Sequence, residues 1–72
     1  MATVAAIQAA LDPEGYNNQI RILKQSTVIT TNTDTFYCLG GQVRPGRARY
    51  IDTTNTDSAA TQAAAILAGM IA

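Results

Sequence analysis

FYCLGGQVRPGRARYID, from Phe36 to Asp52, is the stretch whose reading decides the fold, and two near-copies of one polar string bracket it. Thr30-Thr31-Asn32-Thr33-Asp34-Thr35 stands before it and Thr53-Thr54-Asn55-Thr56-Asp57-Ser58 after it. All but one of the aromatic residues, the single cysteine and three of the five basic residues lie between the brackets. Phe36 to Val43 reads as a strand, with Tyr37 and Leu39 on one face and Phe36 and Cys38 on the other. A return strand from about Ala48 to Thr53 places Tyr50 and Asp52 on one side and Arg49 and Ile51 on the other. Between them, Arg44-Pro45-Gly46-Arg47 has Pro and Gly at the central positions of a type II turn. That turn twists the wrong way for a tight two-residue hairpin, so the strands are expected to splay into a longer loop. Gly40-Gly41 predicts a bulge or a close approach by neighbouring backbone.

Working outward, the first polar string turns the chain without glycine, because Asn32 and Asp34 can hydrogen-bond their own backbone and tolerate left-handed conformations. The second ends the sheet and opens a helix from Ala59 to Ile71, with Asp57 or Ser58 as N-cap and the Asp57 charge at the positive end of the dipole. Ile66, Leu67, Met70 and Ile71 form that helix's apolar stripe. At the other end, Val4, Ile7 and Leu11 recur at helical spacing behind Thr3 as N-cap, which predicts a helix from Thr3 to Leu11. Asp12-Pro13-Glu14-Gly15 reads as a turn. Residues 16–25 fit two patterns: Tyr16, Ile20 and Leu23 make a helical face, whereas Ile20 and Ile22 alternate about Arg21. The β-branched run Thr27 to Thr31 favours a strand from about Gln19 to Thr31, with a bulge or bend near Gln25-Ser26 to relieve its length. The expected fold is α+β, a single small domain over residues 1–72. It is a three-stranded antiparallel meander flanked by an N-terminal and a C-terminal helix, α-β-β-β-α.

A chain of 72 residues buries only about 60% of the surface that its unfolded form exposes. Disulfides, a structural metal or oligomerisation usually support so thin a core. Cys38 has no second cysteine to pair with, and the absence of histidine excludes a closed zinc site of Cys and His ligands. Oligomerisation or docking into a larger assembly remains, with a well-packed monomer as the alternative. The net charge is zero and only 14% of residues are charged, which argues against a binder driven by long-range electrostatics. Nearly a third of the chain is Ala or Thr. The N-terminus has no basic region before its apolar run, so no secretory signal is read. The apolar run from Ala63 to Ala72 is about half of the roughly 20 residues that cross a bilayer. A soluble protein made in the cytoplasm is expected, with no membrane partner.

Candidate chemistry is sparse. A thiol nucleophile needs a base or an electropositive setting, and between Tyr37 and Leu39, with no histidine in the chain, Cys38 reads as a small core hydrophobe. Gly40-Gly41-Gln42 lacks the Gly-Lys-Ser/Thr of a phosphate loop and leads to no helix N-terminus. Asp52, Asn55 and Asp57, with Asn32 and Asp34 in the twin string, offer oxygen ligands but no EF-hand spacing and no closing glutamate. Turn and capping roles account for all of them. No enzyme, cofactor or metal is therefore expected. Two contact features remain. Arg44, Arg47 and Arg49 form the one charge cluster, with Tyr50 beside it; arginine is favoured in protein interfaces, where it pairs with carboxylates such as Asp34 or Asp52 of a neighbour. The same tip could touch nucleic acid phosphates. On the last helix, Ala64 and Ala68, and Ala65 and Gly69, are small residues four apart that let another helix approach closely.

No family motif matches these residues. A short neutral chain rich in Ala, Thr and Asn without catalytic apparatus is similar to the small structural proteins of phage virions, such as capsid cement or decoration subunits and small tail or neck components. That compositional likeness implies a non-enzymatic structural subunit acting in many copies, with itself or a larger protein lattice such as a capsid or tail as partner. The alternative is a small nucleic-acid-binding or regulatory module that uses the hairpin tip from Arg44 to Arg49.

Overall fold

A computed structural model describes residues 1–12, 15, 16 and 18–72. The chain runs through helix α1 (Val4–Ala9), strand β1 (Arg21–Val28), a 3-10 turn (Ile29–Thr31), strands β2 (Thr33–Leu39) and β3 (Ala48–Thr54) and helix α2 (Ala59–Ile71). The strands form one antiparallel sheet in the order β1-β2-β3. This is the expected α-β-β-β-α meander. α1 lies against β1 and α2 against β3, and the two helices touch each other, so one face of the sheet is covered. The core between the layers takes Ile7 and Leu11 from the N-terminal segment, Ile22, Phe36 and Cys38 from the sheet, and Ile66 and Met70 from α2.

Local chemistry sets each boundary. The Thr3 hydroxyl accepts from the Ala6 amide and caps α1. α1 is shorter than the expected span to Leu11, because the Leu11 and Asp12 amides bond back to Gln8 and Ala9, three residues away, the tighter closure common at helix ends. The predicted turn at 12–15 falls partly on residues 13 and 14, outside the described residues; Gly15 has φ 78° and donates to the Asp12 carbonyl. For the ambiguous residues 16–25, the strand begins at Arg21, two residues later than expected.

The strand expected to continue to Thr31 stops at Val28. Asn32 adopts the left-handed conformation, φ 51° and ψ 40°, and donates to the Ile29 carbonyl. Asparagine tolerates that conformation, so the reversal occupies residues 29–32 despite their β-branched character. Thr33 to Thr35, expected in the turn, are thereby released to pair with Val28 to Ser26. The bulge lies between Ile22 and Lys24 rather than at Gln25-Ser26. Parity explains the shift: Ile22 pairs with Cys38 and Gln25 with Phe36, both on the covered face. Two residues three apart can share a face only if one extra residue, Leu23, is inserted.

β2 ends at Leu39, and Gly40-Gly41 form no bulge. They permit close approach instead: a Cβ on Gly40 would collide with the Arg44 carbonyl oxygen and one on Gly41 with that of Gln19. The loop then closes by Gly40 N–H to the Arg47 carbonyl, 2.8 Å, and Arg47 N–H to the Arg44 carbonyl, 3.0 Å, with Gly46 at φ 81°. This is the expected type II turn inside a splayed connection. Ser58, not Asp57, caps α2, accepting from the Thr61 amide at 3.2 Å. The apolar stripe is rotated from the expected one. Gln62, Ala63, Ile66 and Met70 are buried, Leu67 is half-buried, and Ile71 is 40% exposed.

Candidate functional site

The twin polar strings meet at the end of the sheet remote from the arginine loop. Asp34 pairs with Thr53, and the Asn55 amide donates to the Asn32 carbonyl at 2.8 Å. Asp34 follows the inward parity of Phe36 and Cys38 and is fully buried. Its carboxylate accepts from Thr27 Oγ1, from Gln25 Nε2 at 3.1 Å and from Gln62 Nε2 at 2.9 Å. Gln62 Nε2 also donates to Thr53 Oγ1 at 2.8 Å. Burial pushes the Asp34 carboxyl up, but the hydrogen bonds from Thr27, Gln62 and Gln25, with the positive amino-terminus, prevail and hold it below its ordinary value. Asp34 is therefore an internal group, closed to the arginine of any neighbour. Asp52 lies on the opposite face, exposed, and accepts from Thr35 Oγ1 at 2.7 Å. The carboxylates of Asp34 and Asp52 thus lie on opposite faces of the sheet, and no cluster of three potential ligands from His, Cys, Asp and Glu exists among the described residues.

The arginine loop turns back onto its own helix. Arg44 Nη2 donates to the Ile71 carbonyl at 2.8 Å, Arg47 Nη1 to the Met70 and Ala72 main-chain oxygens at 3.0 and 2.6 Å, and Arg49 Nη1 to the Gly69 carbonyl at 2.9 Å. The last carbonyls of a helix lack intrahelical donors and carry the negative end of its dipole; three guanidinium groups satisfy both needs. Desolvation and the like charges of Arg49 and Arg44 lower Arg47 from its ordinary value, though a guanidinium stays protonated throughout. Arg44 and Arg49 remain exposed, so part of each fork still faces water. Cys38 is buried, and desolvation pushes its thiol up to about 11, which denies it thiolate character at neutral pH.

The expected small-residue face of α2 divides. Ala64, Ala65 and Ala68 are exposed. Gly69 instead faces the sheet, where a Cβ would meet Ile51 Cδ1; its lack of a side chain lets α2 settle on β3.

The open face of the sheet is the feature that sequence reading did not single out. Tyr37 and Tyr50 pair across β2 and β3 with ring centroids 5.0 Å apart, tilted by 40°. Tyr50 is 69% exposed, Leu23 56% and Val28 48%. The strand alternation separates Tyr37, Leu39, Tyr50 and Asp52 from the core residues, but only the placement of both helices on one side leaves that set uncovered. No pocket is present among the described residues. Comparison with protein-family models, curated proteins and solved structures finds no match.

Proposed function

We propose that this chain is a non-enzymatic structural subunit that works in many copies, associating with itself or with a larger protein lattice. The observation that carries this reading is the sheet's one-sided covering. Two helices protect one face, while the other presents a tyrosine pair and aliphatic side chains on a chain with zero net charge. Exposed aromatic and aliphatic side chains on a chain with no net charge favour association. The alanines Ala64, Ala65 and Ala68 offer a second surface on the far side of α2, and two surfaces on opposite sides suit a lattice better than a closed pair. A component of a phage virion, such as a capsid decoration or tail subunit, is the finer form of this proposal and rests on composition.

Sedimentation velocity and electron microscopy of the purified protein test it. Oligomers or ordered arrays at high micromolar concentration are expected; a stable monomer that forms no array and binds no protein particle contradicts it. A nucleic-acid-binding module is the weaker reading, because Arg44, Arg47 and Arg49 each commit donors to the end of α2. A salt-sensitive gel shift that is lost on replacing all three with alanine would reinstate that reading.

A further inference from the structure

We infer that the open face of the sheet seats the same face of a second copy, related by a two-fold axis lying parallel to β2. This rests on the many-copy reading above and names the surface and partner that begin the assembly. In register across β1, β2 and β3 the face reads Arg21–Leu39–Ala48, Lys24–Tyr37–Tyr50 and Ser26–Thr35–Asp52. Its charges are segregated: the cations Arg21 and Lys24 stand on β1, the carboxylate Asp52 stands on β3, and the tilted tyrosine rings lie towards β3 beside Lys24. A two-fold axis along the middle strand lays β1 of one copy over β3 of the other. Lys24 then covers the aromatic ring of the second copy's Tyr50, a cation–π arrangement, with the second copy's Asp52 one row further along the strand. Each such pairing occurs twice, once on either side of the axis.

Other relations waste this complementarity. A copy offering its arginine loop would add like charge beside Arg21 and Lys24. A copy offering the alanine face of α2 brings no carboxylate to them, since Ala64, Ala65 and Ala68 carry none. The size suits a weak, reversible dimer. Three strands about 4.8 Å apart and seven residues long make a face of roughly 14 by 23 Å, and two such faces amount to roughly 650 Å², the range of weak, transient contacts. The bulge at Leu23 adds an exposed aliphatic residue next to Lys24, extending the apolar part of the contact.

Sedimentation equilibrium from low to high micromolar concentration tests this with wild type, Lys24→Glu, Asp52→Lys, the double exchange and Tyr50→Glu, with circular dichroism confirming that each is folded. The wild type is expected to be a reversible dimer. Each single charge reversal should weaken it about tenfold, since like charges then meet twice across the axis. The double exchange should recover most of the loss from the like-charge contacts but stay weaker than wild type, because it removes the cation over Tyr50, and Tyr50→Glu should abolish it. A wild type that stays monomeric throughout the range overturns the inference. A wild-type oligomer indifferent to all four variants also overturns it, while leaving the many-copy reading standing on another surface. Weakening by both single variants without rescue by the double exchange overturns the two-fold pairing of β1 with β3.

Discussion

The two faces of the sheet are built from the same three strands, and their contrast separates what folds this chain from what it offers to others. On the covered face, Ile22, Phe36 and Cys38 meet α1 and α2, and the Asp34 carboxylate that enters is met by three donors. On the open face, Tyr37 and Tyr50 meet as a tilted pair and Asp52 keeps one partner, Thr35. Most polar groups on the first face are satisfied inside the chain, Gln62 Oε1 being an exception; those on the second can wait for water or a neighbour. Substitutions should therefore unfold the protein from one side and only change its associations from the other.

The contrast breaks most sharply at Phe36 and Tyr50. Phe36→Ala should cost about 3–5 kcal/mol in urea unfolding, the range for emptying a fully buried aromatic site and a large share of the roughly 5–15 kcal/mol that holds a domain folded. Tyr50→Ala, measured at low concentration where copies are separate, should cost only about 0.5–1.5 kcal/mol, the worth of its cross-strand pair with Tyr37. Comparable losses at both positions would mean that the open face is part of the monomer's own core. Next in size, Asp34→Ala should cost about 1–3 kcal/mol by removing the buried charged acceptor that Gln62, Gln25 and Thr27 share.

The pH dependence has a definite sign. Asp34 is held below its ordinary value in the folded chain, so the unfolded state binds the proton more readily. Its contribution is complete above the unfolded carboxylate range and is lost as pH falls through the folded value. Asp34→Asn should flatten the acid limb of the stability curve; an unchanged limb would assign acid sensitivity to other groups. Ser58→Ala should cost about 1 kcal/mol through the lost N-cap of α2, read by urea titration. Smallest in free energy but simplest to observe, Cys38 should resist thiol reagents in native buffer and react once urea unfolds the chain, because its thiol is buried and raised to about 11. Rapid native labelling would contradict the packing of β2 against the helices.

Much of this architecture was legible before the structure. Thr3 and Ser58 announce their helices by capping chemistry, Pro45-Gly46 its turn, and the alternation around Tyr37 and Tyr50 assigns both strands their faces. The errors share one cause: local pattern cannot register what a side chain meets across the fold. Asp34 reads as a turn residue in a polar string, and only the position of Asn32 as the reversal point shows that it continues the inward parity of Phe36. Gln62 looks like one polar interruption of an alanine helix until Asp34 and Thr53 are brought beneath it. The arginines read as free contact groups because their acceptors, the carbonyls of residues 69–72, lie 20 to 27 residues away in sequence and in backbone rather than side chain. The open face could not be found from any strand alone, since bareness depends on where both helices settle.

The most direct test of the open face as the contact surface is an NMR dilution series on uniformly labelled wild type, followed residue by residue. As concentration rises, shift changes should gather on Leu23, Lys24, Tyr37, Tyr50 and Asp52 and leave Ala64, Ala68 and the arginine loop in place. Changes centred on the alanines of α2 or on Arg44 to Arg49, with the tyrosine face unmoved, would contradict it.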